Sequence, residues 1–111
     1  MTTAAVHQYL AAWTAFDEAK ARILSFVRIV DGVGKELASH PERFHFTNLK
    51  TEMPIGTPVS DFDAEKWPTA IEIQSAISAW HQTYETLLES WRQIPQQERG
   101  SLKEPPYSLG L

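Results

Sequence analysis

Two stretches of this sequence repeat apolar residues at alternating steps of three and four. In the first the positions are Val6, Tyr9, Trp13, Phe16, Lys20, Ile23, Val27 and Val30, and only Lys20 breaks the row. In the second they are Ile73, Ile77, Trp80, Tyr84, Leu87, Trp91 and Ile94, without a break. Such spacing puts one side chain per turn on the same face of an α-helix, in the a and d positions of a heptad. A chain with two such rows is mainly α-helical, and its core is built where the two rows meet.

The first helix is expected over about residues 3–31. Gly32 and Gly34 argue for a stop there, since glycine costs roughly 1 kcal/mol inside a helix. The row nevertheless stays in phase through Gly34 to Leu37, so an extension to about 38 is allowed before His40-Pro41 ends it. Leu10 and Leu24 on one flank and Ala12, Ala19 and Phe26 on the other widen the apolar stripe beyond what a two-stranded coiled coil needs. The second helix is expected over about residues 69–94, opened by the capping-box pair Thr69 and Glu72 and closed by Pro95. The lengths come out similar, ~43 and ~39 Å at 1.5 Å per residue, which favours packing side by side as a long antiparallel hairpin. The connecting segment, about 39–68, is long for a bundle loop. Phe44-His45-Phe46-Thr47 and, less clearly, Pro58-Val59-Ser60-Asp61-Phe62 alternate apolar with polar. They read either as a small β-hairpin around Met53-Pro54-Ile55-Gly56 or as irregular segments laid over one end of the helices. After a short turn at Pro95–Gly100 the tail, about 101–111, is extended, with apolar Tyr107, Leu109 and Leu111 that dock on the domain, dock on a partner or hang free.

With 111 residues the sequence reads as a single domain, residues 1–111. Its 42% hydrophobic and 22% charged residues match an ordinary globular domain and exclude a disordered chain. No apolar run is long enough to span a membrane, and the N-terminus has no basic and apolar secretory pattern. The absence of cysteine removes disulfides, thiolate metal sites and cysteine nucleophiles, and fits a cytoplasmic address. The net charge of −4, with the ten bases spread along the chain, lacks the basic stripe that nucleic-acid binding needs.

Candidate chemistry is sparse. Asp61, Asp63 and Glu65 fall on loop positions 1, 3 and 5 of the EF-hand spacing, with Thr69 and Glu72 at 9 and 12. The glycine required at position 6 is Lys66, however, and a solvated turn beside a helix N-terminus explains the same acids. His40 and His45 flank Pro41-Glu42-Arg43 without a metal-binding spacing. His81 and Glu85 are one helical turn apart and read as a surface pair. No nucleophile elbow, Ser-x-x-Lys pair or phosphate-binding loop is present, so the chain is expected to be non-enzymatic and without a cofactor.

Two helices alone make a thin core, and Leu10, Leu24, Phe26, Ile29 and Val33 still need cover. Either the middle segment folds over them, or a second copy covers them by completing a four-helix bundle, the economical answer because small domains gain stability by oligomerising. Lys20 on the seam either reaches solvent or a carboxylate such as Glu85, and a seam lysine can fix register. Trp13 joins these as an aromatic suited to an interface. The interface candidates are therefore Leu10, Trp13, Lys20, Leu24, Phe26, Ile29, Val33, Tyr107 and Leu109.

The pattern Ala79-Trp80-His81, Trp91, Ile94-Pro95, Glu98-Arg99, Leu102-Lys103 and Pro105-Pro106 resembles the C-terminal part of small helical proteins encoded by bacterial phages and prophages. It covers about a quarter of the chain and brings no catalytic residue. It implies an accessory or interaction protein, in the cytoplasm or in a phage particle. The expectation is a homodimer acting by protein–protein contact. The alternatives are a monomeric adaptor or inhibitor docking through the stripe of the first helix, and a small metal- or ligand-binding protein.

Overall fold

A computed structural model describes residues 3–49 and 60–109. Helix α1 spans Ala4–Ser39, strand β1 Phe44–Thr47, strand β2 Ser60–Asp63 and helix α2 Ala70–Arg92. Single 3-10 turns occupy Pro41–Arg43, Ala64–Lys66 and Gln96–Glu98. The helices are unequal: α1 has 36 residues and α2 has 23, or ~54 Å against ~35 Å. The similar lengths read from the sequence do not hold, because α1 does not stop at its glycines. Gly32 and Gly34 lie inside it with ordinary helical backbone. Packing of Val33 between them and the ion pair from Asp31 to Lys35, at 2.9 Å, hold the turn where propensity alone would break it.

The contacts divide the chain into two compact units, Met1–Ile23 with Gln74–Leu111, and Leu24–Ile73. In the first, the Thr3 hydroxyl caps α1 by accepting from the Val6 amide at 3.2 Å. Val6, Tyr9, Ala12 and Phe16 are buried with Ala76, Trp80, Leu87 and Ile94. Phe16 stacks on Trp80 with centroids 6.1 Å apart and meets Tyr84 at 6.0 Å, while Tyr9 meets Trp91 at 5.1 Å. Earlier residues of α1 thus meet later residues of α2, the order of an antiparallel pair. Beyond α2, Arg99 donates from Nε to the Ile94 carbonyl at 3.0 Å and from its terminal nitrogen to the Arg92 carbonyl at 3.3 Å. Its guanidinium also lies over Trp91, 5.2 Å from the ring centroid. A cation there satisfies the helix's open carbonyls and its dipole.

The second unit is built differently. β1 and β2 pair in parallel, with Phe44 opposite Ser60 and Phe46 opposite Phe62. Neither alternative holds as read: the segments are strands, but not a hairpin, since a tight turn can join only antiparallel strands, whereas a parallel pair needs a connection that returns to the starting end. The proposed turn Met53-Pro54-Ile55-Gly56, with Pro58 and Val59, lies outside the described residues. Phe44, Phe46, Phe62 and Trp67 meet edge to face at 5.1 to 6.3 Å. Val33 and Phe44 are buried among the larger apolar residues. Asn48, just past β1, takes the left-handed conformation with φ of 59° that asparagine tolerates. The capping box closes as read: the Glu72 amide donates to the Thr69 hydroxyl at 3.1 Å, and the Thr69 amide donates to the Glu72 carboxylate at 3.2 Å.

Candidate interaction surfaces

The covered side of α1 changes along its length. Through Ile23 the inward residues are those of the heptad row other than exposed Lys20, with Ala12 and Ala19 beside them. Beyond it the same row turns to solvent: Val27 is 53% exposed, Val30 46% and Leu37 49%, and Leu24 beside them 39%. Inward positions there are Phe26, Ile29 and Val33, each one residue before the row, and one residue is ~100° around a helix. With only 23 residues, α2 cannot line all 36 residues of α1. The outcome is a strip of a and d positions bearing Val27, Val30 and Leu37, interrupted by Gly34. Apart from the adjoining helix backbone, a Cβ built on Gly34 would meet nothing within 4 Å.

The interface candidates fall in different places. Leu24 belongs to this strip. Phe26 and Ile29 are half-buried, and Val33 is buried in the second unit, so its side chain is not surface. Ile29 and Val33 instead line a groove of about 370 Å³ with Phe44, Phe62 and Gly32, edged by Arg28, Glu36 and Asp61. Glu36 is held by the Ser60 hydroxyl, which donates to it at 2.9 Å. Lys20 is exposed. Among the described residues no ion pair joins it to Glu85; Asp31–Lys35 and Glu89–Arg92 are pairs along one helix each. Leu10 borders an open cleft of about 560 Å³ in the first unit, shared with Val6, Gln97, Glu98 and Leu102. Trp13 is half-buried against Tyr9 and Phe16, with the Lys103 ammonium over its ring at 4.2 Å.

The tail docks on its own unit. The Tyr9 hydroxyl donates to the Lys103 carbonyl, and the Tyr84 hydroxyl donates to the Pro106 carbonyl at 2.8 Å. Leu102 and Leu109 pack against the core, and Tyr107 stands fully exposed between them. Burial, above all, raises the Tyr9 hydroxyl above its ordinary pKa; the Trp13 N–H pulls it down and the Glu104 carboxylate pushes it up. These two tyrosines carry a contact that the sequence does not reveal. Their helical spacing marks them as core but says nothing of where each hydroxyl goes.

The acidic residues do not form a metal centre among the described residues, where no group of three or more His, Cys, Asp or Glu converges. Asp63 instead pins the backbone around it, since its carboxylate accepts from Asn48 Nδ2 and from the Glu65 amide, each at 2.9 Å. The Asn48 hydrogen bond, then the Glu65 amide, holds its pKa below the ordinary carboxylate value. Asp61 and Glu65 are exposed. No helix among the described residues is long and apolar enough to cross a membrane. No family model, curated protein or solved structure matches the chain.

Proposed function

We propose that this chain is a non-enzymatic interaction protein that works as a small helical homo-oligomer. The strip of Leu24, Val27, Val30 and Leu37 on α1 would be the contact through which two copies complete a four-helix bundle. One observation carries this reading: heptad positions that build the interhelical core in the first unit are left uncovered in the second. Apolar residues at seam spacing on an exposed helix face are suited to another helix. The C-terminal resemblance to small phage-encoded proteins agrees with an accessory role of this kind.

Absolute mass by light scattering over a concentration series tests the proposal. The expected result is a rise from one chain mass to two. Replacing Val27 and Val30 by glutamate should hold the mass at one chain while leaving the helical spectrum unchanged, since both side chains are already exposed. A single chain mass at every concentration would overturn self-association and leave the strip to a different protein, the adaptor reading.

A further inference from the structure

The exposed strip specifies how a second copy would sit on it, an inference that rests on the self-association proposed above. Within the unit Leu24–Ile73 the a and d positions are Val27, Val30, Gly34 and Leu37. Three are apolar and exposed, and the fourth is a glycine that nothing among the described residues requires. Its φ is not positive, and nothing lies within 4 Å of where its Cβ would be. A glycine in mid-helix is unfavourable unless something must approach its backbone closely.

Parallel and antiparallel pairings use that glycine differently. In a parallel pair each residue faces its own counterpart, so Gly34 faces Gly34 and the layer is hollow. In an antiparallel pair an a position faces a d position. Centring the two-fold axis beside residue 32 gives four layers: Val27 on Leu37 and Val30 on Gly34, each occurring twice. The gap at Gly34 is then filled by a valine from the other chain, as close packing requires. Such a contact is isologous and closes on itself. Its four layers bury less than the ~1,600 Å² of a standard interface, so the association should depend on concentration.

We infer that a second copy of this chain docks on the exposed strip of α1 antiparallel, with Val30 of each copy seated over Gly34 of the other.

The lack of cysteine makes single-cysteine reporters unambiguous. Val27→Cys and Leu37→Cys proteins, both altered at exposed positions, would be treated with a short bis-maleimide separately and as a mixture. The expected result is cross-linked dimer in the mixture and little in either protein alone. Cross-linking of Val27→Cys to itself would show a parallel pair and overturn the inference while sparing the proposed function. A dimer by light scattering with no cross-link in any sample would move the contact to another face and overturn the inference too. A monomer by light scattering at all concentrations would sink both. Gly34→Leu gives a second measurement: it should keep the helical spectrum yet weaken dimerisation at least tenfold. Undiminished dimerisation in a folded Gly34→Leu protein would be incompatible with the antiparallel register.

Discussion

The unit formed by Met1–Ile23 and Gln74–Leu111 and the unit Leu24–Ile73 share both helices yet hold together by different means. In the first, two helical rows face each other through large rings, and Tyr9, Leu87 and Ile94 are almost wholly removed from water. The tail is tied across them by two tyrosine hydroxyls. In the second, one helix meets a two-stranded sheet through Val33, Phe44 and a cluster of half-exposed rings. The same helix thus has a saturated apolar face in one unit and a spare one in the other. A seam that finds a full-length partner becomes core; one that outlasts its partner becomes surface, and that surface is where the chain can meet something else.

The largest effect should come from deleting side chains on the saturated side. Leu87→Ala is expected to cost about 3 kcal/mol, because the side chain is fully buried and its neighbours are interlocked rings. Val33→Ala should cost about 1.5 kcal/mol, from two lost methylene equivalents in a thinner core. Hydrogen exchange would test the division itself. Leu87→Ala should accelerate exchange in the segments 4–23 and 76–91, and Val33→Ala chiefly in 26–39 and 60–73. If Val33→Ala loosens the segment 76–91 as much as its own, the two units are one cooperative body and the comparison fails.

The next effect concerns the tail. Tyr9 holds its proton more tightly when folded, chiefly because burial disfavours the phenolate. A folded pKa raised above the unfolded value gives stability that is complete below the unfolded pKa, about 10 for tyrosine. It is lost as the pH climbs through the folded value. Denaturation midpoints should therefore fall in that alkaline range. Tyr9→Phe should lose about 1 kcal/mol near neutrality, with the Lys103 carbonyl left without its donor, and should show a shallower alkaline decline. An equally steep decline in the phenylalanine variant would place the alkaline sensitivity on other groups.

These contrasts show what periodicity can and cannot reveal. The spacing identifies which residues share a helix face, and the Thr69–Glu72 pair marks where α2 begins. It cannot say how much of a face is covered, since Val27 and Val30 obey the same rule as Tyr9 and Phe16. Alternation in Phe44–Thr47 points to a strand, but it reads the same for parallel and antiparallel pairing, so the hairpin, one of the two readings it allows, is not the pairing found. The Tyr9–Lys103 bond joins residues 94 positions apart, which no local pattern encodes. The glycines read as a helix stop on propensity, a weak prior that the packing of Val33 overrides. Of the interface candidates, Leu10, Lys20, Leu24 and Tyr107 are exposed, whereas Val27, Val30 and Leu37 read as seam and escape notice as surface.

The smallest expected effect lies inside the sparse unit and runs the other way. Gly32 has helical backbone, and a Cβ placed on it would touch nothing within 4 Å. Gly32→Ala should therefore raise stability by about 0.5–1 kcal/mol, largely by narrowing the unfolded ensemble. Gly34→Ala should give a similar gain in the isolated chain for the same reason. The two separate only if the strip is occupied, because Gly34 lies on it and Gly32 faces the groove instead. Melting both variants at low and high protein concentration would measure this. A gain for Gly32→Ala that is independent of concentration, beside one for Gly34→Ala that shrinks as concentration rises, would tie the spare face to self-association. Equal gains throughout would mean that the helix carries both glycines with no contact at Gly34 to protect.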